Sequence, residues 1–306
     1  MIYKLKRSGN FGFLFAVFLV KAYRKFRYGK FSDEFYLKKS FFRAQGYKLN
    51  LSNPKSLNEK IQWLKLNDRR SINAQFADKF LVRDYIKDHF GEQYLIPLLY
   101  HTKDFNDLKP EFLPDPPFII KTNHDSGNFV IVRDTSQVNW ENVRLKFRWS
   151  MAFDYYHIQR EWQYRNIEPR ILVEKLLIQK NGRIPNDFKL HCINGKVEFV
   201  YVSIDREGKN KRNIYDKNWK PLNFTFAPKN KDIDKLRGEE IEPPLSFPLM
   251  IQFAESIAKL YPYVRVDFYD VDGGLYFGEV TQHHGGGFDQ IRPIEWDYKL
   301  GELVKL

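Results

Sequence analysis

Residues 264–287 read VRVDFYDVDGGLYFGEVTQHHGGG and place acids where two short strands should pair. Two alternating runs, 264–269 and 275–281, flank Asp270-Val271-Asp272-Gly273-Gly274, whose Asp and Gly residues suit a reversing turn. With the turn centred on Gly273, Asp267 stands opposite Glu279 and Arg265 opposite Thr281, all four on one face by the period of two. Facing carboxylates repel each other. A bound divalent cation reverses that cost, because hard cations such as Mg²⁺ take oxygen ligands and bridge carboxylates to substrate phosphates. The alternative is a surface hairpin whose acids are solvated.

Three further stretches carry candidate chemistry. Residues 121–132, KTNHDSGNFVIV, read as a strand end, a polar turn and a second strand. They do not match a Walker A loop, yet Ser126, Gly127 and Asn128 could fold over a triphosphate with backbone N–H groups turned to the anion. Residues 171–178, ILVEKLLI, form a buried-type strand with Glu174 in its middle, and a mid-strand acid needs a partner. In DFKLHC, alternation puts Asp187, Lys189 and His191 on one face and Phe188, Leu190 and Cys192 on the other. Cys192 is the single cysteine, so no intrachain disulfide forms. The seven histidines show no zinc spacing, and there is no GxSxG elbow.

The elements that must position these residues are legible as a mixed chain. Ser56 with Glu59 makes a capping box for a helix carrying Ile61, Trp63, Leu64 and Leu66. Residues 77–90 have helical spacing and end at Gly91. Strands are expected over 94–100 and 118–121, Asn194-Gly195 marks a hairpin turn, and 243–260 form a helix covering the final hairpin.

The chain has 306 residues, 17% aromatic content and a net charge of +12. It can bury one large or two small cores, and disorder is excluded. Eight cations lie in residues 1–30 without a single acid, so the other 276 residues carry only +4. That distribution describes a basic tail and argues against a nucleic-acid groove. The apolar run FGFLFAVFLV, residues 11–20, is too short to span a bilayer and lacks a signal-peptide cleavage site. It is expected to lie on an anionic membrane surface, helped by its basic flanks, or to pack on the protein's own body.

In order along residues 53–306, these pieces resemble the ATP-grasp superfamily, and within it the teichuronopeptide-biosynthesis (TupA-like) branch. DKFLVRDYIKDHFGEQYLIP (78–97) resembles the superfamily's opening helix, and FIIKTNHDSGNFVIV (118–132) its phosphate-binding strand and loop. LVEKLL (172–177) is similar to the hinge strand along which adenine lies, and NDFKLHCINGK to the strand that follows. RVDFYDVDGGLYFGEVT is similar to the metal-binding hairpin, and GGGFDQIRPIEWD to the branch's closing segment.

The resemblance implies an α+β ATP-grasp fold, two α+β lobes gripping ATP, behind an N-terminal helical preamble. The expected divisions are a membrane-associating segment (1–30), the preamble (31–95), a small lobe with the phosphate loop (96–175) and a large lobe with the metal hairpin (176–306). It implies ATP and Mg²⁺ as cofactors. ATP would meet Lys79, Lys121, Ser126, Gly127, Glu174, Lys175, Leu177, Asp187 and Lys189, and the metal Asp267, Glu279 and Thr281. Thr281 departs from the Asn often found at its position. Arg265 and Lys121 would be catalytic, with Arg83, His283 and His284 near the acceptor. The implied reaction attaches an amino acid to a uronic acid of a cell-surface polysaccharide through an acyl-phosphate. A lipid-linked acceptor is expected, with the enzyme peripheral at the inner face of the cytoplasmic membrane. The alternatives are a glycan kinase or other glycan-modifying enzyme, and a non-catalytic nucleotide- or glycan-binding module.

Overall fold

A computed structural model describes residues 2–29, 31–227, 229, 232 and 234–306. Met1 and Lys30, the ends of the basic segment, lie outside the described residues. In chain order the elements are α1 (Ile2–Arg7), α2 (Gly9–Tyr28), α3 (Asp33–Gln45), α4 (Leu57–Asn67), α5 (Ser71–Ala77), α6 (Val82–His89), β1 (Leu98–Thr102), β2 (Phe118–Thr122), β3 (Phe129–Val132), α7 (Trp140–Met151), α8 (Tyr156–Gln159) and β4 (Ile171–Lys175). They continue with β5 (Asp187–Ile193), β6 (Lys196–Ile204), β7 (Lys211–Asp216), β8 (Thr225–Ala227), α9 (Phe247–Ala258), β9 (Tyr263–Val271), β10 (Gly274–Thr281), β11 (Gln290–Arg292) and α10 (Glu295–Leu303). The fold is mixed α+β, and the strand pairs are antiparallel.

The chain divides into two compact units, one of residues 1–36, 78–81 and 97–176, the other of 37–77, 82–96 and 177–306. The first holds a four-stranded sheet in the order β1-β4-β2-β3. Its core is Phe118, Ile120, Val132, Ile171 and Val173, closed by Val143 and Phe147 of α7. Helix α2 buries Phe13, Ala16 and Val17, and the Phe13 ring meets Trp149 of α7 edge-on at 6.0 Å. The opposite face of α2 exposes Phe11 (84%), Leu14 (61%), Phe15 (44%) and Phe18 (63%). One side of the apolar run therefore packs on its own unit, and the other side remains uncovered there. No helix among the described residues is long and apolar enough to cross a membrane.

The second unit is built on a five-stranded sheet in the order β10-β9-β5-β6-β7, with β11-β8 as a separate pair. Helix α9 lies on it through Met250, Phe253, Ala254 and Ile257, beside Leu190, Val200 and Val266. The residues expected as a preamble from 37 onward belong largely to this unit: Leu57, Ile61 and Leu64 of α4 share a core with Leu300, Val304 and Tyr263. The capping box of α4 forms as its sequence predicts, with Ser56 accepting from Glu59 N and the Glu59 carboxylate accepting from Ser56 N. Helix α6 begins at Val82, five residues later than the periodicity of 77–90 predicts. Asp78 Oδ1 accepts from Phe80 N at 2.8 Å and Leu81 N at 3.4 Å, a local turn that competes with the helix at its start.

Candidate active site

The site residues fall into two clusters, one in each unit. In the second unit, the register of three adjacent strands sets Lys189 of β5 beside Asp267 of β9 and Asp267 beside Glu279 of β10. The next row sets His191 beside Arg265, and Arg265 beside Thr281. These are the facing pairs expected from sequence, but the chain reaches them by another route. The turn is centred between Asp272 (φ 52°) and Gly273 (φ 93°), half a residue earlier than Gly273 itself, and a bulge at Gly278 restores the register. A Cβ at Gly278 would stand 2.9 Å from the Asp267 carbonyl oxygen, so glycine there lets the two strands close.

The facing acids, expected to be bridged by a divalent cation, are also met by cations of the chain itself. Arg265 donates to both Asp267 oxygens, each at 2.6 Å, and to Glu279 Oε1 at 2.9 Å. Lys189 donates to Asp267 Oδ2 at 2.8 Å and also to Asp187. A guanidinium fork thus bridges the two acids, a charge-assisted geometry that is among the stronger polar contacts in proteins. Burial acts to lower the pKa values of both cations, but the carboxylates outweigh it and hold them above their ordinary values. Arg206 also interacts with Asp187 and Asp267, so three carboxylates meet three cations.

Among the described residues, no three His, Cys, Asp or Glu side chains converge as a metal-ligand group. Two carboxylates and the Thr281 hydroxyl nevertheless form an all-oxygen set. That donor chemistry fits Mg²⁺, which usually takes only one or two protein carboxylates and completes its shell with water and phosphate. Thr281 Oγ1 donates to Glu279 Oε1 at 3.3 Å, so the hydroxyl adjoins the acid.

His283 and His284 are buried rather than solvated. Arg265 Nη1 donates to His284 Nδ1 at 2.8 Å, which puts the imidazole proton on Nε2. Burial, with Arg265 adding, holds the His284 pKa well below the ordinary histidine value; His191 is lowered in the same way by burial, His284 and Arg265. Gly285, Gly286 and Gly287 carry His284 into place with φ of 55°, 60° and 67°. A Cβ on Gly287 would come 2.4 Å from Gln62 of α4, whose amide donates to the Gly286 and Gly287 carbonyls at 2.9 Å. Arg83 donates to the Ile96 carbonyl at 2.9 Å. Leu177 also belongs to this unit.

In the first unit, Lys121 Nζ lies 2.6 Å from Glu174 Oε2, which gives the mid-strand acid its partner. Lys79 donates to the Asp125 carbonyl. The loop after β2 has a fixed base and an exposed tip. Asp125 accepts from Asn128 at 2.6 Å, from Ser150 at 2.7 Å and from Thr122, while Ser126 and Gly127 are exposed. Gly127 has φ 82° and open space around its Cα. Lys175 is exposed at the end of β4. Asp125 escaped sequence reasoning in part because one of its three donors, Ser150, lies far along the chain. Arg206, whose guanidinium sits 5.4 Å from the Tyr269 ring centre, escaped it for the same reason.

A sequence profile described as TupA-like ATPgrasp matches residues 59–305. The chain belongs to the TupA-like ATPgrasp family. The match includes the sheet that carries Arg265, Asp267 and Glu279, and the loop that carries Gly127. No curated protein matches the chain. Among solved structures it is similar to D-alanine–D-alanine ligase from Bacillus anthracis, at 16% identity and a TM-score of 0.34, over 68% of this chain and 56% of that one. It is also similar to the ATP-grasp ligase PsnB complexed with its minimal precursor, at 12% identity and a TM-score of 0.39, over 71% and 54%. A D-alanine–D-alanine ligase from Helicobacter pylori matches at 18% identity and a TM-score of 0.38, over 81% and 69%. This TupA-like chain spans a little over half the length of the first two.

Proposed function

We propose that this TupA-like ATPgrasp chain is an ATP-dependent carboxylate–amine ligase that joins an amino acid to the carboxyl of a uronic acid in a cell-surface polysaccharide. The observation that carries this is the Arg265–Asp267–Glu279 cluster, a buried arginine held beside two acids in a family named for ATP. A carboxylate does not react with an amine at neutral pH because its oxygen is a poor leaving group. ATP supplies the phosphoryl group that turns that oxygen into a leaving group, and Mg²⁺ at Asp267, Glu279 and Thr281 would neutralise its charge. By the family resemblance, Lys79, Lys121, Ser126, Gly127, Glu174, Lys175, Leu177, Asp187 and Lys189 would meet the nucleotide. Arg265 binds the oxyanion formed when the amine adds, and His284 orients Arg265 through its Nδ1 contact.

Product mass tests the proposal. The full chain is incubated with ATP, Mg²⁺, a panel of amino acids and uronic-acid glycans. A ligase yields a product heavier by one amino acid less water, together with ADP and phosphate. A product heavier by a phosphate identifies a glycan kinase, and nucleotide binding without any turnover identifies a non-catalytic module.

We further propose that α2 seats the protein on the anionic inner face of the cytoplasmic membrane, where lipid-linked glycan precursors would be met. Phe11, Leu14, Phe15 and Phe18 form an exposed stripe at helical spacing, and Lys21 and Lys25 lie nearby with no acid in the segment. The same cations would make two copies of this face repel, which favours lipid over self-association. Replacing Phe11, Phe15 and Phe18 by Ser should abolish sedimentation with phosphatidylglycerol vesicles and leave thermal unfolding unchanged. Unaltered vesicle binding would refute this seat.

A further inference from the structure

Within the second unit, between β7 and the β8–β11 pair, lies a cavity of about 190 Å³. By the space one water-sized centre needs, it has room for about a dozen such positions, comparable with the non-hydrogen atoms of one sugar-acid ring. Three guanidinium groups line it, Arg212, Arg237 and Arg292, against one carboxylate, Glu240, which lies 3.9 Å from Arg237. The ring of Phe224 adds an apolar aromatic surface. A surplus of two positive charges among the lining side chains, an exposed guanidinium at Arg237 and an aromatic wall together describe a receptor for an anionic ring.

The cavity is joined to the candidate active site by packed side chains. Arg212 Nη1 donates to the Phe226 carbonyl at 2.9 Å, and the Phe226 ring meets His284 edge-on at 4.4 Å. His284 in turn accepts from Arg265. We propose that this cavity is a subsite for a carboxylate-bearing sugar ring of the acceptor, distinct from the residue that reacts. The inference rests on the ligase proposal for its choice of ligand. One charged ring held in the cavity would orient its neighbour for reaction.

Calorimetric titration of the full chain without nucleotide tests the subsite separately from catalysis. The probes are the trisaccharide of galacturonic acid, neutral maltotriose and inorganic phosphate. Saturable binding of the acidic trisaccharide is expected, with maltotriose and phosphate at least about tenfold weaker. Arg237→Gln, at the exposed rim, should weaken the acidic trisaccharide about fivefold, and Glu240→Gln should strengthen it about threefold, both with unchanged melting temperature. Equal binding of maltotriose, equal binding of phosphate, no saturable binding, or affinities unmoved by both substitutions would each overturn the subsite. Acid-selective binding that follows both substitutions, in a protein that never releases ADP, would leave the subsite standing and sink the ligase. Amine-dependent ADP release without that binding would do the reverse.

Discussion

Replacing Asp267 by Asn removes the charge on which two buried cations converge. In the native protein its carboxylate accepts from Arg265 twice at 2.6 Å and from Lys189 at 2.8 Å, and Asp267 is only 2% exposed. Asn keeps the shape, but its amide presents donors to groups that are themselves donors. Removing one partner of a buried pair costs about 3–5 kcal/mol, because the remaining charge stays buried and uncompensated. With a urea dependence near 3 kcal/mol per M, the unfolding midpoint should fall by about 1 to 1.7 M. The assay is urea unfolding followed by far-ultraviolet circular dichroism, with and without ADP and Mg²⁺. In the native protein, ligand at about a hundred times its Kd should add about 2.7 kcal/mol, and in Asp267→Asn that increment should vanish. A midpoint within about 0.3 M of the native value would refute the assignment of Asp267 as the hub of the cluster.

Lys121→Met should destabilise the first unit by about 3 kcal/mol in the same assay, because it leaves Glu174 buried without its cation; the double variant with Glu174→Gln should recover part of the loss. Gly278→Ala should lower stability by about 1–3 kcal/mol in scanning calorimetry, since the added carbon meets the Asp267 carbonyl at 2.9 Å. Both His191 and His284 have pKa values held well below 6.5, so below that pH the unfolded chain takes up protons that the folded chain refuses. Stability should therefore be full above pH 6.5 and decline as pH falls below it, by up to about 1.4 kcal/mol per pH unit for each histidine. Asp297, whose carboxyl burial raises to about 6, opposes that decline below pH 6. His284→Gln should make the slope of midpoint against pH shallower.

The parts of the fold governed by short-range chemistry were legible in the sequence. The Ser56–Glu59 capping box, the Asn194-Gly195 turn with φ of 47° and 81°, and the alternating face of β5 depend on neighbours within a few residues. The facing of Asp267 and Glu279 was also legible, although the bulge that produces it was not, because alternation alone does not distinguish a shifted turn from an extra residue. What neutralises those acids was harder to read. Arg265 and Lys189 lie on the same face by periodicity, but only the pairing of β5 with β9 brings the lysine to Asp267, and no local rule fixes which strands pair. His284 looked like part of a polar loop; three glycines with positive φ and the approach of Gln62 turn it inward. The attachment of α4 to α10 likewise depends on residues more than 200 positions apart.

The proposed chemistry is tested most directly by following oxygen from the acceptor. A uronic-acid glycan labelled with ¹⁸O in its carboxyl groups is incubated with the full chain, ATP, Mg²⁺ and the amine that supports turnover, and the released phosphate is analysed by mass spectrometry. Activation of the carboxylate by phosphoryl transfer predicts one ¹⁸O in the phosphate for each amide formed. Phosphate released without label while amide accumulates would contradict that route.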